Sequence, residues 1–346
     1  MSRLRIWIER FDPASARAEA VRGFHALSNR IRAEWWPDDP PRSLPVFRTL
    51  LASVPPVWGV RWWVAWRRGQ IVGGAEVELS QTPENRHLAW CDVYVDPRHR
   101  YQGIGTALLA TVAEAARTDG RRLLTVATAR TAPSGEAFVR RLGATAGLVQ
   151  EINQLRISDV DLALLEAWRE RAPRDAFRLG VWEGPYPEAD LADIVRMHEV
   201  MNTAPRGELE MEDFHWTPEL IREQEESHRQ RGLERWTVYA RHLPTGKIAG
   251  FTEVAWDPHE PWLLHQWGTG VFPEFRGRGL GKWLKAVMLA KVLRERPEVR
   301  FVRTGNATMN APMLKINHEL GFRLYNTITL WQVPVAEALA HAAGKR

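Results

Sequence analysis

Two segments of this chain, 176 residues apart, carry nearly the same sequence. Residues 95–105 read VDPRHRYQGIG and residues 271–281 read VFPEFRGRGLG. Both place a Pro two residues after a Val, then an Arg and a Gly-x-Gly that leads into a helical pattern. Further along, Arg-Leu-Gly at 141–143 matches Glu-Leu-Gly at 319–321. A repeat this long indicates a duplicated domain, because solenoid units repeat every 20–50 residues or so.

Length and composition agree with two globular domains. A chain of 346 residues is too long for one ordinary core, and its 45% hydrophobic and 26% charged content is typical of a globular protein. No apolar run approaches the roughly 18 residues of a membrane span, and charges interrupt the N-terminal apolar stretch, which reads as a strand and not as a signal peptide. Cys91 is the single cysteine, so it forms no internal disulfide and supplies no metal-binding set. We therefore expect a cytoplasmic protein that has no membrane partner and no metal.

The formal net charge of +5 is mostly an excess of arginine. Acidic residues are interleaved throughout, and no run of five or more Lys or Arg occurs. This pattern favours a solvated surface with basic loops over a nucleic-acid-binding protein. A polyanionic cofactor would also suit such loops.

Hydrophobic periodicity predicts the same order of elements in each half. A first strand is followed by helical segments, a hairpin, and a strand–helix–strand unit around the glycine motif. The main predicted elements of the first half are a strand at 6–8, a helix at 14–35, strands at 62–66, 71–79 and 88–95, a helix at 105–118 and a strand at 123–127. Those of the second half are strands at 177–182, 236–241, 248–256 and 263–271, a helix at 280–293, a strand at 299–304, a helix at 310–320 and a strand at 325–333. The fold class is thus mixed α+β, with domains at 1–172 and 173–346.

The glycine motif has the chemistry of an anion site. Glycines let the backbone approach a ligand and adopt positive φ, and the first turn of the following helix leaves amide N–H groups unpaired. Those amides and the helix dipole suit a diphosphate, with Arg98, Arg100, Arg276 and Arg278 adding positive charge. A dinucleotide fingerprint is not matched, because the motif follows the fourth strand and its glycine spacing breaks at Lys282. A P-loop would need Gly-Lys-Ser/Thr, which is absent.

The motif resembles the acyl-CoA signature of the GNAT acyltransferase superfamily, Gln/Arg-x-x-Gly-x-Gly/Ala after the fourth strand. Arg100–Gly105 and Arg276–Gly281 both match it, once per half. The tandem arrangement is similar to that of mycothiol synthase and related actinobacterial acetyltransferases. The resemblance implies two mostly antiparallel mixed sheets, each flanked by helices and each with its fourth and fifth strands splayed apart.

The resemblance also implies acetyl-CoA, or another acyl-CoA, as co-substrate. In the second half it assigns the diphosphate to the backbone of the motif, the pantetheine to the edge of the fourth strand, and a contact with the CoA arm to Asn310. Asn306, in the segment that leaves the fifth strand, is a further cofactor-binding candidate. These residues are Gly270, Val271, Arg276, Gly277, Arg278, Gly279, Leu280, Gly281, Lys282, Asn306 and Asn310. The corresponding residues of the first half are Val95, Arg100, Gln102, Gly103, Ile104, Gly105 and Thr106.

Departures from the family pattern concern the acid that protonates the leaving thiolate. Many members have a Tyr four residues before the Gly of Leu-Gly-Phe, where this chain has Asn317 in one half and Val139 in the other. Asn317 is a candidate for binding the sulfur or orienting water. The second half has the more complete motifs, so we expect it to be catalytic and the first to be degenerate. Glu253 and His265 are the candidates for the general base.

These observations predict an acyl-CoA-dependent N-acyltransferase that transfers acetyl to the amine of a small molecule by direct attack, as a monomer or a homodimer. Three alternatives stay open at this point. The chain can be a non-catalytic CoA-binding or sensory protein, a GNAT-fold acyl-CoA decarboxylase, or a peptide N-acetyltransferase.

Overall fold

The computed structural model describes residues 6–344, which form two compact units. The N-terminal unit comprises residues 6–149, Arg206–Glu212 and residues 326–344. The C-terminal unit comprises Gln150–Pro205 and Asp213–Tyr325. Neither unit is a continuous stretch of chain, because residues 206–212 and 326–344 belong to the N-terminal unit and residues 206–212 interrupt the C-terminal one. Each sheet also takes one strand from the other half of the sequence. The predicted boundary at 172 and 173 divides the duplicated sequence and stays a prediction.

The N-terminal unit has a six-stranded mixed sheet in the order β1-β2-β3-β4-β5-β12. Its strands are β1 (Trp7–Phe11), β2 (Trp58–Arg67), β3 (Gln70–Ser80), β4 (Leu88–Val95), β5 (Leu123–Ala129) and β12 (Arg323–Pro334). Its helices are α1 (Ala18–Trp35), α2 (Leu44–Ala52), α3 (Ile104–Thr118), α4 (Pro133–Arg141) and α10 (Val335–Ala342). All pairings between neighbouring strands are antiparallel except β4 with β5.

The C-terminal unit repeats this plan in the order β6-β11-β10-β9-β8-β7. Its strands are β6 (Thr145–Arg156, of which residues 150–156 pair here), β7 (Phe177–Glu183), β8 (Glu234–His242), β9 (Ile248–Trp256), β10 (Leu263–Val271) and β11 (Phe301–Ala307). Its helices are α5 (Leu162–Glu170), α6 (Leu191–His198), α7 (Pro218–Arg231), α8 (Leu280–Glu295) and α9 (Ala311–Glu319). Here β10 and β11 are the parallel pair.

The parallel pair separates in both units after three residue pairs. In the N-terminal unit β4 and β5 pair only from Leu88 with Leu123 to Trp90 with Thr125. In the C-terminal unit the pairing ends at His265 with Arg303. Beyond these points each sheet opens on the carboxyl side of its fourth strand. The predicted fold class, two mixed α+β domains with a splay between the fourth and fifth strands, is confirmed.

Each sheet has a hydrophobic core on both of its faces. In the C-terminal unit the side chains of α8 and α5 pack on one face, and those of α6 and α7 pack on the other. In the N-terminal unit α3 and α10 cover one face, and α1 and α2 cover the other. This arrangement places α3 and α8 directly after the fourth strand, with their N-termini beside the splay. No helix within residues 6–344 is long and apolar enough to cross a membrane.

Strand β12 comes from the second half of the sequence but completes the N-terminal sheet, and this placement can be tested. Trp331 is 2% exposed in the N-terminal core, and its indole Nε1 donates to Thr128 Oγ1 at 2.8 Å. We expect Trp331→Ala to lower the free energy of unfolding by about 3–5 kcal/mol, because it opens a cavity and removes the indole donor. Leu324→Ala, on the same strand but 52% exposed, is the control and should change it by less than about 0.5 kcal/mol. Equal effects of the two variants in thermal unfolding would contradict this packing.

Candidate functional site

The C-terminal unit holds a cleft of about 970 Å³ at the point where β10 and β11 separate. Its mouth is the loop before α8, in which Gly277 and Gly279 have φ values of +76° and +79°. Gly279 is the N-cap of α8 and offers no side-chain cap to the first-turn amides. A Cβ at either glycine would meet nothing within 4 Å. The helix N-terminus therefore presents unpaired N–H donors to an open space, which is the arrangement that binds anions.

The edge of β10 supplies further backbone donors inside the cleft. Phe272 N donates to Ala249 O of β9 at 2.9 Å. Because successive strand residues point their backbone groups to alternate edges, the N–H and C=O of Val271 point away from β9 and into the gap. The sheet is thus open at the edge that the sequence analysis assigned to the pantetheine arm.

Most of the predicted cofactor residues of the second half line this cleft. They are Gly270, Val271, Arg276, Gly277, Gly279, Leu280, Gly281, Lys282, Asn306 and Asn310. Arg278 is not among the lining residues, and its guanidinium lies 5.9 Å from the rings of Phe177 and Phe275. Its predicted contact with the diphosphate therefore has no support from its position.

The cations at the mouth are already bound to protein groups. Arg276 donates from Nε to Val271 O at 2.9 Å and from a guanidinium nitrogen to Thr203 Oγ1 at 2.7 Å. Lys282 pairs with Glu319. In the N-terminal unit, Arg100 likewise donates to Val95 O at 3.1 Å. The motif arginines therefore fasten the loop to the end of the fourth strand, and anion binding at the mouth falls mainly to backbone amides.

The two asparagine positions have different environments. Asn310 is the N-cap of α9, where its side chain accepts from Met313 N at 3.4 Å. Asn317 is fully buried and does not line the cleft. Its Nδ2 donates to Asn306 Oδ1 at 2.7 Å, so it orients a side chain that does line the cleft. The position of Asn317 fits a residue that orients Asn306 better than it fits the expected role of binding the sulfur or orienting water.

Glu253 and His265 lie outside the cleft lining. The buried Glu253 carboxylate accepts from the Tyr186 hydroxyl at 2.6 Å and from Thr237 Oγ1 at 2.8 Å. Because side chains alternate along a strand, Glu253 and its neighbour Val254 point to different faces of the sheet. Val254 packs in the core with α8. His265 is the last residue of β10 that pairs with β11. The structure therefore does not bring the two candidates together in the cleft.

The N-terminal unit has a smaller cleft, about 200 Å³, at the corresponding position. Of the predicted first-half residues, those that line it are Val95, Arg100, Gly103, Ile104, Gly105 and Thr106. Gln102 does not, and its Oε1 accepts from Arg67 at 2.6 Å. Tyr101 occupies the position of Gly277 with a φ of +60°. A side chain here has to adopt a left-handed conformation that glycine takes without strain.

A carboxyl cluster beside the N-terminal cleft was missed by sequence reasoning. Glu76 and Glu78 lie on β3 and Asp92 on β4, with Glu76 directly opposite Asp92. Side-chain hydrogen bonds from Tyr94, Trp62 and Asp92 converge on Glu76. Desolvation, with the charge of Glu76 second, raises the pKa of Glu78 to about 7 and the pKa of Asp92 to about 8. Asp92 lines the cleft, and its raised pKa keeps its proton in the hydrogen bond to Glu76 at neutral pH.

Sequence reasoning also missed Lys285, which lies in the second turn of α8 and lines the C-terminal cleft. Its signal in the sequence is a lysine inside an apolar helical stretch, flanked by Trp283, Leu284, Ala286 and Val287. Among the residues that the structure describes, no group of His, Cys, Asp or Glu side chains is arranged to hold a metal ion.

Comparison with known families identifies both halves. The model of the GNAT acetyltransferase family matches residues 23–144 and 195–322. The chain therefore belongs to the GNAT family, whose members are acyl-CoA-dependent N-acetyltransferases, and it carries two GNAT domains. A sequence search against curated proteins gives no significant match.

Solved structures agree with this assignment. A tandem GNAT protein from the clavulanic acid biosynthesis pathway aligns with a TM-score of 0.78 and 26% identity, over 96% of this chain and 99% of that one. A GCN5-related N-acetyltransferase from Sphaerobacter thermophilus aligns with a TM-score of 0.67 and 15% identity, over 97% and 96% of the two chains. The second likeness concerns the fold alone.

The carboxyl cluster leads to a prediction of how the stability of the folded protein depends on pH. The unfolded chain releases the Asp92 proton near 3.8, whereas the folded protein holds it to about 8. The folded state thus binds more protons, and stability falls as the pH rises through this window. We expect Asp92→Asn, which cannot ionise, to melt above wild type at pH 8.5 by the equivalent of about 1–3 kcal/mol, with the smallest difference near pH 5.

The control for this experiment is Asp175→Asn, at an exposed position. It should show no pH-dependent difference from wild type in thermal unfolding followed by circular dichroism. A difference between Asp92→Asn and wild type that is constant from pH 5 to 8.5 would show that Asp92 is ionised throughout.

Proposed function

We propose that this chain is an N-acyltransferase that moves an acyl group, acetyl in the simplest case, from CoA to the amine of a small molecule. The C-terminal unit is proposed as the catalytic one. The observation that carries the proposal is the open mouth of its cleft, where the uncapped amides of α8 follow two glycines at positive φ. A diphosphate fits such a site because the amides supply donors and the helix dipole favours negative charge.

The proposed reaction is a direct attack of the amine nitrogen on the thioester carbon. The C–N bond forms, the C–S bond breaks, and the thiolate leaves while the amine loses a proton. The N–H groups on the open edge of β10 are the donors that would stabilise the oxyanion. Asn317 would hold Asn306 toward the same space.

Glu253 is our candidate for the proton acceptor, held by Tyr186 and Thr237 on the face opposite α8. Because a positioned general base contributes about 10²–10⁴-fold to the rate, Glu253→Gln should lower kcat by about that factor and leave the Kd for acetyl-CoA unchanged. An unchanged kcat would leave Glu253 a structural role only.

A small-molecule acceptor is supported by one relative. The tandem GNAT protein that shares 26% identity over nearly the full length of both chains belongs to the clavulanic acid biosynthesis pathway. Clavulanic acid is a small molecule, so we propose an acceptor of that size over a peptide. The proposed enzyme turns over acyl-CoA, which a purely sensory CoA-binding protein does not do. It also needs an amine acceptor, which a decarboxylase does not need.

The N-terminal unit has features of a degenerate domain and features of a second ligand-binding site. Its smaller cleft and the Tyr101 side chain favour a degenerate domain, whereas the Asp92 carboxyl group that lines this cleft is a polar contact for a ligand. We propose that the C-terminal cleft binds acyl-CoA more tightly than the N-terminal cleft does. The loop variants described below measure binding at each cleft separately.

Calorimetric titration with acetyl-CoA tests the proposal. In Gly279→Asp a carboxylate stands where the diphosphate would bind, so we expect Kd to rise at least about 100-fold, or about 2.7 kcal/mol. Gly246→Asp is the matched control, since Gly246 has a φ of +69° with nothing within 4 Å of a Cβ and lies in the turn between β8 and β9. It should bind as wild type does.

Gly103→Asp makes the same change in the N-terminal loop, where φ is +82° and the space is also open. We expect it to leave the tighter binding event intact. Loss of that event in Gly103→Asp, with Gly279→Asp unaffected, would transfer the donor site to the N-terminal unit. A wild-type protein that binds neither acetyl-CoA nor CoA would refute the proposed function.

A further inference from the structure

Lys285 is a buried amino group that has no hydrogen-bonding or ionic partner among the described residues. It is 3% exposed, and its side chain lines both the C-terminal cleft and an adjoining cavity of about 10 Å³. Within residues 6–344, no hydrogen bond or ion pair joins its Nζ to another residue. Its aromatic contact is the Phe322 ring, whose centroid lies 5.8 Å from Nζ.

The surroundings of Lys285 penalise its charge. The adjoining cavity is lined, apart from Gln266, by apolar side chains: Val254, Leu264, Met288, Leu289, Val292, Val302, Leu320 and Phe322. Desolvation lowers the pKa of Lys285 to about 7. A buried lysine that lacks an anionic partner disfavours its own charged form, so an anion that reached it would be held strongly.

The fold does not require a lysine at this position. The corresponding residue of the duplicated half is Leu109, which is 1% exposed in the N-terminal core. The corresponding helix therefore accommodates a buried leucine at this position. Lys285 is a difference between the two halves that costs stability in the free protein.

The cleft itself offers no counter-ion. Among the described residues that line it, none is an Asp or a Glu, and its other cations, Arg276 and Lys282, are engaged at the mouth. Lys285 instead lies at the inner end, beside Gln266 and next to the point where β10 and β11 separate. An anion for Lys285 must therefore come from the bound ligand.

A donor whose diphosphate occupies the mouth would direct its acyl end inward. We propose that the C-terminal cleft selects acyl-CoA donors whose acyl chain ends in a carboxylate, and that Lys285 forms the ion pair with that carboxylate. This inference rests on the proposed function and names its donor class, a dicarboxylic acyl group. The transfer reaction is unchanged, since the carboxylate stays on the acyl group and takes no part in bond making.

Calorimetry with CoA, acetyl-CoA and succinyl-CoA tests the inference without any acceptor. Wild type should bind succinyl-CoA at least 10-fold more tightly than acetyl-CoA. Lys285→Met should abolish this preference while it leaves the Kd for CoA and acetyl-CoA within about threefold of wild type. Lys315→Met is the matched control, because it removes the same charge from an exposed position of α9 and should retain the preference.

Two results would overturn the inference and leave the proposed function intact. One is equal affinity of the wild type for acetyl-CoA and succinyl-CoA. The other is an equal loss of affinity for all three ligands in Lys285→Met, which would assign the lysine to the part of CoA that they share, such as the sulfur. Absence of binding of CoA itself to the wild type would instead refute the proposed function. If Lys285→Met does not fold, the wild-type comparison of the three ligands still decides.

Discussion

The separation of two parallel strands is the constraint on which the rest of this structure depends. Parallel neighbours normally exchange hydrogen bonds along their whole length, yet β10 and β11 stop after three pairs. The backbone groups beyond that point need other partners, because an unpaired buried amide or carbonyl is costly. Arg276 satisfies the Val271 carbonyl, and the remaining groups face the cleft, where a ligand can satisfy them. The strand separation therefore accounts for the open sheet edge, for the loop held by Arg276 and for the binding site together.

The two units share one backbone fold but differ in the side chains around their clefts. Both retain the splay, the motif arginine that holds the fourth strand, and the uncapped helix N-terminus. They differ in the side chains around it, where Tyr101 stands against Gly277 and Leu109 against Lys285. The N-terminal unit has instead gathered the carboxyl groups of Glu76, Glu78 and Asp92. The common backbone explains the shared family, and these local differences explain why the two clefts are expected to have different ligands.

The parts of the site that follow from the backbone were predictable. Gly103, Gly279 and their neighbours are fixed by positive φ and by the need for bare amides at a helix N-terminus, so the sequence alone marks them. Strands β6 and β12 were harder, because their pairing partners come from the other half of the sequence. β6 was missed altogether, because its apolar residues, Leu148, Val149, Ile152 and Leu155, do not alternate regularly with polar ones. Nothing local in β12 shows that it completes the N-terminal sheet.

Side chains whose role depends on burial were not predictable in the same way. Glu76 and Glu78 alternate with Val77 and Leu79, and only the register with β4 shows that the carboxylates converge on Asp92. Lys285 resembles any helical lysine until packing shows that no acid reaches it. Glu253 was found as a candidate from its strand, but its hydroxyl partners, Tyr186 and Thr237, lie on two other segments.

Hydrogen–deuterium exchange with and without acetyl-CoA tests the central claim most directly, because it reports on the amides themselves. Our account predicts slower exchange at residues 279–282 and at Val271 on the open edge of β10, with weaker or no protection at residues 103–106. Protection confined to residues 103–106, or protection at neither loop under saturating ligand, would contradict the placement of the donor site in the C-terminal cleft.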